Sequence, residues 1–394
     1  MLPDRTVSET HSPRFVHAAL FAGFIVTGMV CTLLGPVLPV FIGRWNLNDS
    51  QAGLFFTTQF GGSVVGVGLS SFLLAARGYR HALVLGFLLM AAGVAGLNTP
   101  NEHAALLATA AFGLGFGVAI PATNLCVAEI SGPRRSAALN ILNMAWGIGA
   151  ILCPILILAG LKVNRFSEAT FAIALAAFLL SILFWAMKFQ DKKQPANPSA
   201  EQAAQVSDAD VHPLHVPVAL AILFYLYIGT ESGISGWAAE QALRAGTGSS
   251  STLAPMFFWA GLLSGRGICA AFLSRVKENL LVISGLLLSA LGTTCLLLAS
   301  TRWLIAFGVV FAGLGLAGIY PMFIAWLSKW YGERARRLGG VMFSLAALGG
   351  ATVPWIVGVV SQKSHSLRVG LLVPLAGCFA MMVLVTVLRR RIAA

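Results

Sequence analysis

Residues 113–121 read G-L-G-F-G-V-A-I-P, and residues 313–321 read G-L-G-L-A-G-I-Y-P. Gly113, Leu114, Gly115 and Pro121 return as Gly313, Leu314, Gly315 and Pro321, an offset of 200. The same offset carries Arg134, Gly149 and Pro154 onto Arg334, Gly349 and Pro354. Toward the N-terminus, Gly62, Gly66, Gly68 and Gly86 meet Gly261, Gly265, Gly267 and Gly285 at 199, and Gly28 and Gly35 meet Gly229 and Gly236 at 201. Glycine is common here, 42 of 394 residues, so a single match carries little weight. An offset that drifts by only two positions over so long a distance marks an internal duplication, a chain built from two related halves.

The repeated unit is made of apolar helices. The chain is 57% hydrophobic and 10% charged, with a mean hydropathy of +0.83, whereas soluble domains carry about a quarter charged residues. Twelve apolar stretches recur, at 15–43, 51–76, 82–98, 104–129, 137–160, 168–187, 215–240, 252–275, 279–300, 303–329, 338–360 and 369–388. Each is long enough to cross ~30 Å of hydrocarbon as a helix, and none shows the alternation of a membrane barrel strand. The first lacks a small-residue cleavage site, so it reads as an uncleaved span. The expected fold is an all-α membrane protein with twelve transmembrane helices in two pseudo-symmetric six-helix bundles. These are residues 1–187 and 215–394, joined by the polar segment 188–214 as a cytoplasmic linker.

The net charge of +12 follows topology. With the N-terminus inside, the inner segments hold eighteen of the 26 Lys and Arg residues, the outer loops hold seven, and Arg266 lies within a span. This positive-inside bias predicts a multi-pass protein of the cell (inner) membrane with both termini cytoplasmic, and it removes the case for a nucleic-acid partner. The six cysteines fall inside spans without C-x-x-C spacing and read as packing residues. There is no G-x-x-x-x-G-K-[ST], H-E-x-x-H or G-x-S-x-G, which predicts neither direct ATP drive nor an enzyme, and no cofactor.

Four stretches resemble the major facilitator superfamily, and within it the fucose:proton and glucose/mannose:proton symporter group. They are G-P-V-L-P at 35–39 with Q-A-G at 51–53, L-N-I-L-N-M-A-W-G-I-G-A-I-L-C-P at 139–154, Y-L-Y-I-G-T-E-S-G-I-S-G-W at 225–237, and F-F-W-A-G-L-L-S-G-R at 257–266. The resemblance implies a secondary transporter working by alternating access, with a sugar or polyol as its small-molecule partner and protons as a second one. The sequence departs from the family at two places. Residues 72–80 read F-L-L-A-A-R-G-Y-R, with Ala75 where the superfamily's loop has an aspartate, and the first span has no acid, Val30 standing at the repeat position of Glu231.

Of fourteen acids, Glu231 alone lies well within a span; Asp49 and Glu240 are among those assigned to loops and span ends. A charge near the bilayer centre costs roughly 2.5–3.5 kcal/mol on insertion scales, so it is expected to face a cavity or a partner. Burial favours the protonated form of a carboxylate, which makes Glu231 the candidate proton-coupling residue; the competing reading is a structural acid bonded to backbone. Gly229, Gly233 and Gly236 are expected to loosen this helix, and Tyr227 lies one turn away on the same face. Trp237 reads more readily as an interfacial belt residue than as a site residue. Arg266, the one basic residue deep in a span, is placed about 10 Å from Glu231 in depth by helical rise, with a structural or a substrate-charge role open to it. The N-terminal half offers amides, Gln59, Asn124, Asn140 and Asn143, whose donors and acceptors suit hydroxyl-rich ligands; a bond between Asn124 and Asn143 closing an inner gate is the alternative. Trp146, Trp259 and Tyr320 add aromatic surface with polar tips, against a competing role in packing. The candidate substrate-binding set is therefore Gln59, Asn124, Asn143, Trp146, Tyr227, Glu231, Trp259 and Tyr320. Rival functions are a proton-driven exporter of drugs or amphiphiles, which predicts a greasy cavity, and a non-transporting receptor or scaffold, which predicts Glu231 in a permanent structural pair.

Overall fold

A computed structural model describes residues 13–187, 189, 215–272, 276–332 and 335–393. The expected linker falls outside the described residues apart from Phe189. The first span is two helices, α1 (Pro13–Thr32) and α2 (Leu34–Trp45), and the second and third are one kinked run, α3 (Asp49–Gly96). Spans four to six are α4 (Glu102–Ser131), α5 (Arg135–Lys162) and α6 (Phe166–Ala186), and spans seven to nine are α7 (His215–Arg244), α8 (Ala254–Phe272) and α9 (Glu278–Leu298). The tenth is again split, into α10 (Arg302–Leu316) and α11 (Ile319–Tyr331). The eleventh is α12 (Ala335–Ser364), and the last comprises α13 (Leu367–Gly370) and α14 (Leu372–Ala393). Among the described residues nine helical runs are long and apolar enough to cross a membrane. Two of these, Asp49–Gly96 and Glu102–Lys162, each hold two spans, and the 19-residue α8 adds another, which gives twelve. This is a multi-pass membrane fold in two six-helix bundles.

Within α3 the chain reverses at Gly78, whose φ of +76° is open to glycine and strained for residues with a Cβ. At the other end of the same helix pair, Asn48 caps α3 by accepting from Gln51 N at 2.9 Å, and Gln51 returns the bond to Asn48 N. The duplication is visible as packing. A methyl group on Gly149 would strike the carbonyl of Ile25, and one on Gly349 would strike the carbonyl of Tyr225. These two matched glycines are thus where helix backbones touch, in equivalent places in both halves.

These contacts also correct the register of the first span. Ile25 and Tyr225 stand 200 apart, so Cys31 rather than Val30 is equivalent to Glu231. Beyond the break the register becomes 201: Gly35 packs on Pro255 and Gly236 on the Phe56 ring. The break holds a tight turn, Leu33 N donating to Val30 O at 3.4 Å, which takes one residue fewer than an α-helical turn.

The helix expected to be loose is continuous. Gly229 and Gly236 are filled by Val353 and Phe56, so these glycines admit neighbours instead of breaking α7. Trp237 is not an interfacial residue either: it is fully buried, with its indole nitrogen donating to Pro354 O at 2.9 Å.

Candidate functional site

Between the halves lies a cavity of about 300 Å³. It is lined by α1, α2, α3, α4 and α5 on one side and by α7, α8 and α11 on the other. Its two ends differ. At the end marked by Asp49, Thr57 Oγ1 donates to Ala351 O at 2.7 Å, tying α3 to α12. A methyl on Gly53 would lie 2.8 Å from Trp355 Cα, so these helix backbones touch. From Thr230 to Ala242, α7 has no exposed residue. At the opposite end, marked by the His17–Ser131 bond of 3.0 Å, Asn140, Ile141, Asn143 and Met144 of α5 are exposed. Among the described residues, contacts between the halves close the cavity at the Asp49 end, whereas toward the other end its lining residue Asn143 is exposed.

All eight candidate substrate residues and Arg266 line this cavity. Gln59 is 2% exposed; its amide nitrogen donates to Cys31 O at 2.9 Å, and its carbonyl oxygen is buried without a partner. Arg266 Nε is likewise buried and unpartnered. Tyr227 OH donates to Glu231 Oε2 at 2.7 Å, as the one-turn spacing predicts, and the Tyr227 and Tyr320 rings pack with centroids 5.3 Å apart. Glu231 and Arg266 face the same cavity without forming an ion pair. Trp146 of α5 meets Trp259 of α8 edge-on at 5.3 Å, an aromatic contact across the halves.

Some expectations fail. Asn124 and Asn143 do not bond each other; each donates to a carbonyl four residues back on its own helix, Ile120 O and Leu139 O, both at 2.9 Å. Asn140 is exposed and does not line the cavity. Asp49 and Glu240 do lie at span ends, opening α3 and near the close of α7, but both are largely buried, with 13% and 5% of their side chains exposed. Both contact Arg244. The i, i+4 spacing of Glu240 and Arg244 was the available signal for half of that cluster; nothing in the sequence pairs either with Asp49.

Two helical bundles around a central cavity closed at one end define a membrane carrier of the alternating-access type. A family model described as "Major Facilitator Superfamily" matches residues 20–284, and the chain belongs to that superfamily. It is a transporter, not an enzyme. It is 22% identical over 370 residues to the "Glucose/mannose transporter GlcP" of Bacillus subtilis (strain 168), with 90% of each chain covered. It is 24% identical over 369 residues to a "Putative glucose/galactose transporter" of Helicobacter pylori, covering 87% of this chain and 88% of the relative. Among solved structures, a D-xylose-proton symporter superposes with a TM-score of 0.75 at 17% identity, covering 95% of this chain and 97% of that one.

Proposed function

We propose that the transported solute is a small neutral polyhydroxyl compound, a monosaccharide first and a polyol second, and that Glu231 carries the coupled proton. The observation that supports this most is the pair of orphaned polar atoms in the cavity, Gln59 Oε1 from one half and Arg266 Nε from the other. One is an acceptor and the other a donor, and each left unpaired costs about 1–3 kcal/mol. A hydroxyl satisfies either. Sugar rings also offer apolar C–H faces to Trp146 and Trp259, which line the cavity and meet edge-on across the halves. A cavity of 300 Å³ is at the small end for ligand sites. Glucose, mannose and galactose appear in the names of the relatives.

On this reading residues 1–187 and 215–394 are the two moving bundles, and 188–214 is the cytoplasmic link between them. The positive-inside bias puts the Asp49 end outside the cell and both termini in the cytoplasm of an inner membrane. The conformation is then inward-open.

Two measurements test the proposal. Thermal unfolding against a panel of sugars, polyols, amino acids and nucleosides is expected to show stabilisation by at least one sugar; a response confined to the other classes sinks the assignment. In proteoliposomes with an imposed pH gradient, Glu231→Gln is expected to lose gradient-driven accumulation while keeping solute exchange. Equal accumulation by both proteins removes Glu231 from coupling.

A further inference from the structure

The closed end is fastened by charge. Arg244, the last residue of α7, holds the Asp49 carboxylate with two parallel bonds, Nη1 to Oδ2 at 3.0 Å and Nη2 to Oδ1. Its Nε donates to Glu240 Oε1 at 2.7 Å. Ser361 of α12 donates to the same Asp49 carboxylate, and a methyl on Gly358 would strike the Asp49 backbone carbonyl. Asp49 opens α3 in the N-terminal half, whereas Arg244, Glu240 and Ser361 belong to the C-terminal half. Of the ion pairs between described residues, only Arg244–Asp49 crosses from one half to the other.

We propose that Asp49 and Arg244 form an ionic latch that holds this end of the carrier shut, and that Glu240 keeps the latch breakable. The latch rests on the alternating-access reading, in which the halves must part at this end once per cycle. A bidentate guanidinium–carboxylate pair is among the stronger side-chain contacts, and the first turn of α3 further favours a negative charge on Asp49. That alone would trap one conformation. Glu240 opposes it: two carboxylates share one guanidinium, and Glu240 Oε2 is buried with no hydrogen-bond partner. Opening admits water to that oxygen and separates the two negative charges. A carrier needs its two states near balance, because a ligand shifts them only by its differential affinity.

Hydrogen–deuterium exchange on the full-length protein in nanodiscs reads this directly, through peptides covering 230–242 of α7 and 350–361 of α12. Arg244→Gln is expected to raise exchange there by roughly tenfold, the size of a typical coupling between sites. The double variant Asp49→Arg with Arg244→Asp restores a cross-half pair and is expected to return exchange toward wild type. Glu240→Gln removes the excess charge and is expected to lower it. Opposite signs for two polar substitutions four residues apart are not produced by general destabilisation. Unchanged exchange in Arg244→Gln overturns the latch. Should that variant fail to fold, unchanged or raised exchange in Glu240→Gln overturns the proposal. The readout is exchange, not uptake, so the sugar assignment can fail while the latch stands.

Discussion

The two halves share a scaffold and divide the cavity chemistry. The N-terminal half presents Gln59, Asn124 and Asn143; the equivalent positions in the C-terminal half are Phe258, Ile324 and Phe343. The C-terminal half presents Glu231, Tyr320 and Arg266, where the first half has Cys31, Ile120 and Val67. Every charge in the cavity comes from one side and every side-chain amide from the other. Gly149 and Gly349, which set helix spacing, have stayed matched, because their backbone contacts tolerate no side chain in either copy. The residues facing the cavity have no such constraint, and they have diverged into complementary roles. On the proposed reading, one half grips hydroxyls and the other carries charge and protons.

The symmetric part of this comparison breaks with the largest effect. Gly149→Val and Gly349→Val each drive a branched side chain into a neighbouring carbonyl. Both are expected to cost about 3 kcal/mol or more, with closely similar losses in thermal stability. Gly68→Val and Gly267→Val provide the control, since nothing lies within 4 Å of a Cβ built at either position; they are expected to cost about 1 kcal/mol or less. Unequal losses for Gly149 and Gly349 count against equivalent packing in the two halves.

The asymmetric part is expected to respond through affinity. Gln59→Leu removes an orphaned acceptor together with the bond to Cys31 O, and Arg266→Met removes the orphaned donor. On the proposed reading each weakens sugar binding by about 1–3 kcal/mol, roughly a factor of 5–150 in Kd measured by calorimetry. The pair interacts through one ligand and not directly, so the double variant is expected to fall short of the sum. Full additivity would place the two groups on different ligands or on none.

How far each part was legible follows from the same division. Duplication and hydropathy are recorded along the chain, so twelve spans and two bundles could be read from it. The break at Leu33 was not read, although Gly35-Pro36 follows it and Pro36 has no N–H to donate to Thr32 O. Trp237 was misread because α7 is apolar on nearly all sides, which leaves helical periodicity unable to say which face meets protein and which meets lipid. Glu231 with Tyr227 was legible as a one-turn pair. Asp49 with Arg244 was not: 195 residues separate them, and each alone looks like an ordinary charge at a span end.

The smallest expected effect is at Asn143. Its amide nitrogen is committed to Leu139 O on its own helix, and the residue is exposed at the open end of the cavity. A polar group that water reaches already has a partner in the empty carrier, so replacing it loses little when solute binds. Asn143→Ala is therefore expected to change sugar affinity by less than about 0.5 kcal/mol, the ordinary size for an exposed position. Gln59 is an amide too, in the same half and the same cavity, and it differs in being buried with an unsatisfied oxygen. If Asn143→Ala weakens binding as much as Gln59→Leu, burial is not what distinguishes the two amides. The bound solute then reaches further toward the open end than the orphaned atoms indicate.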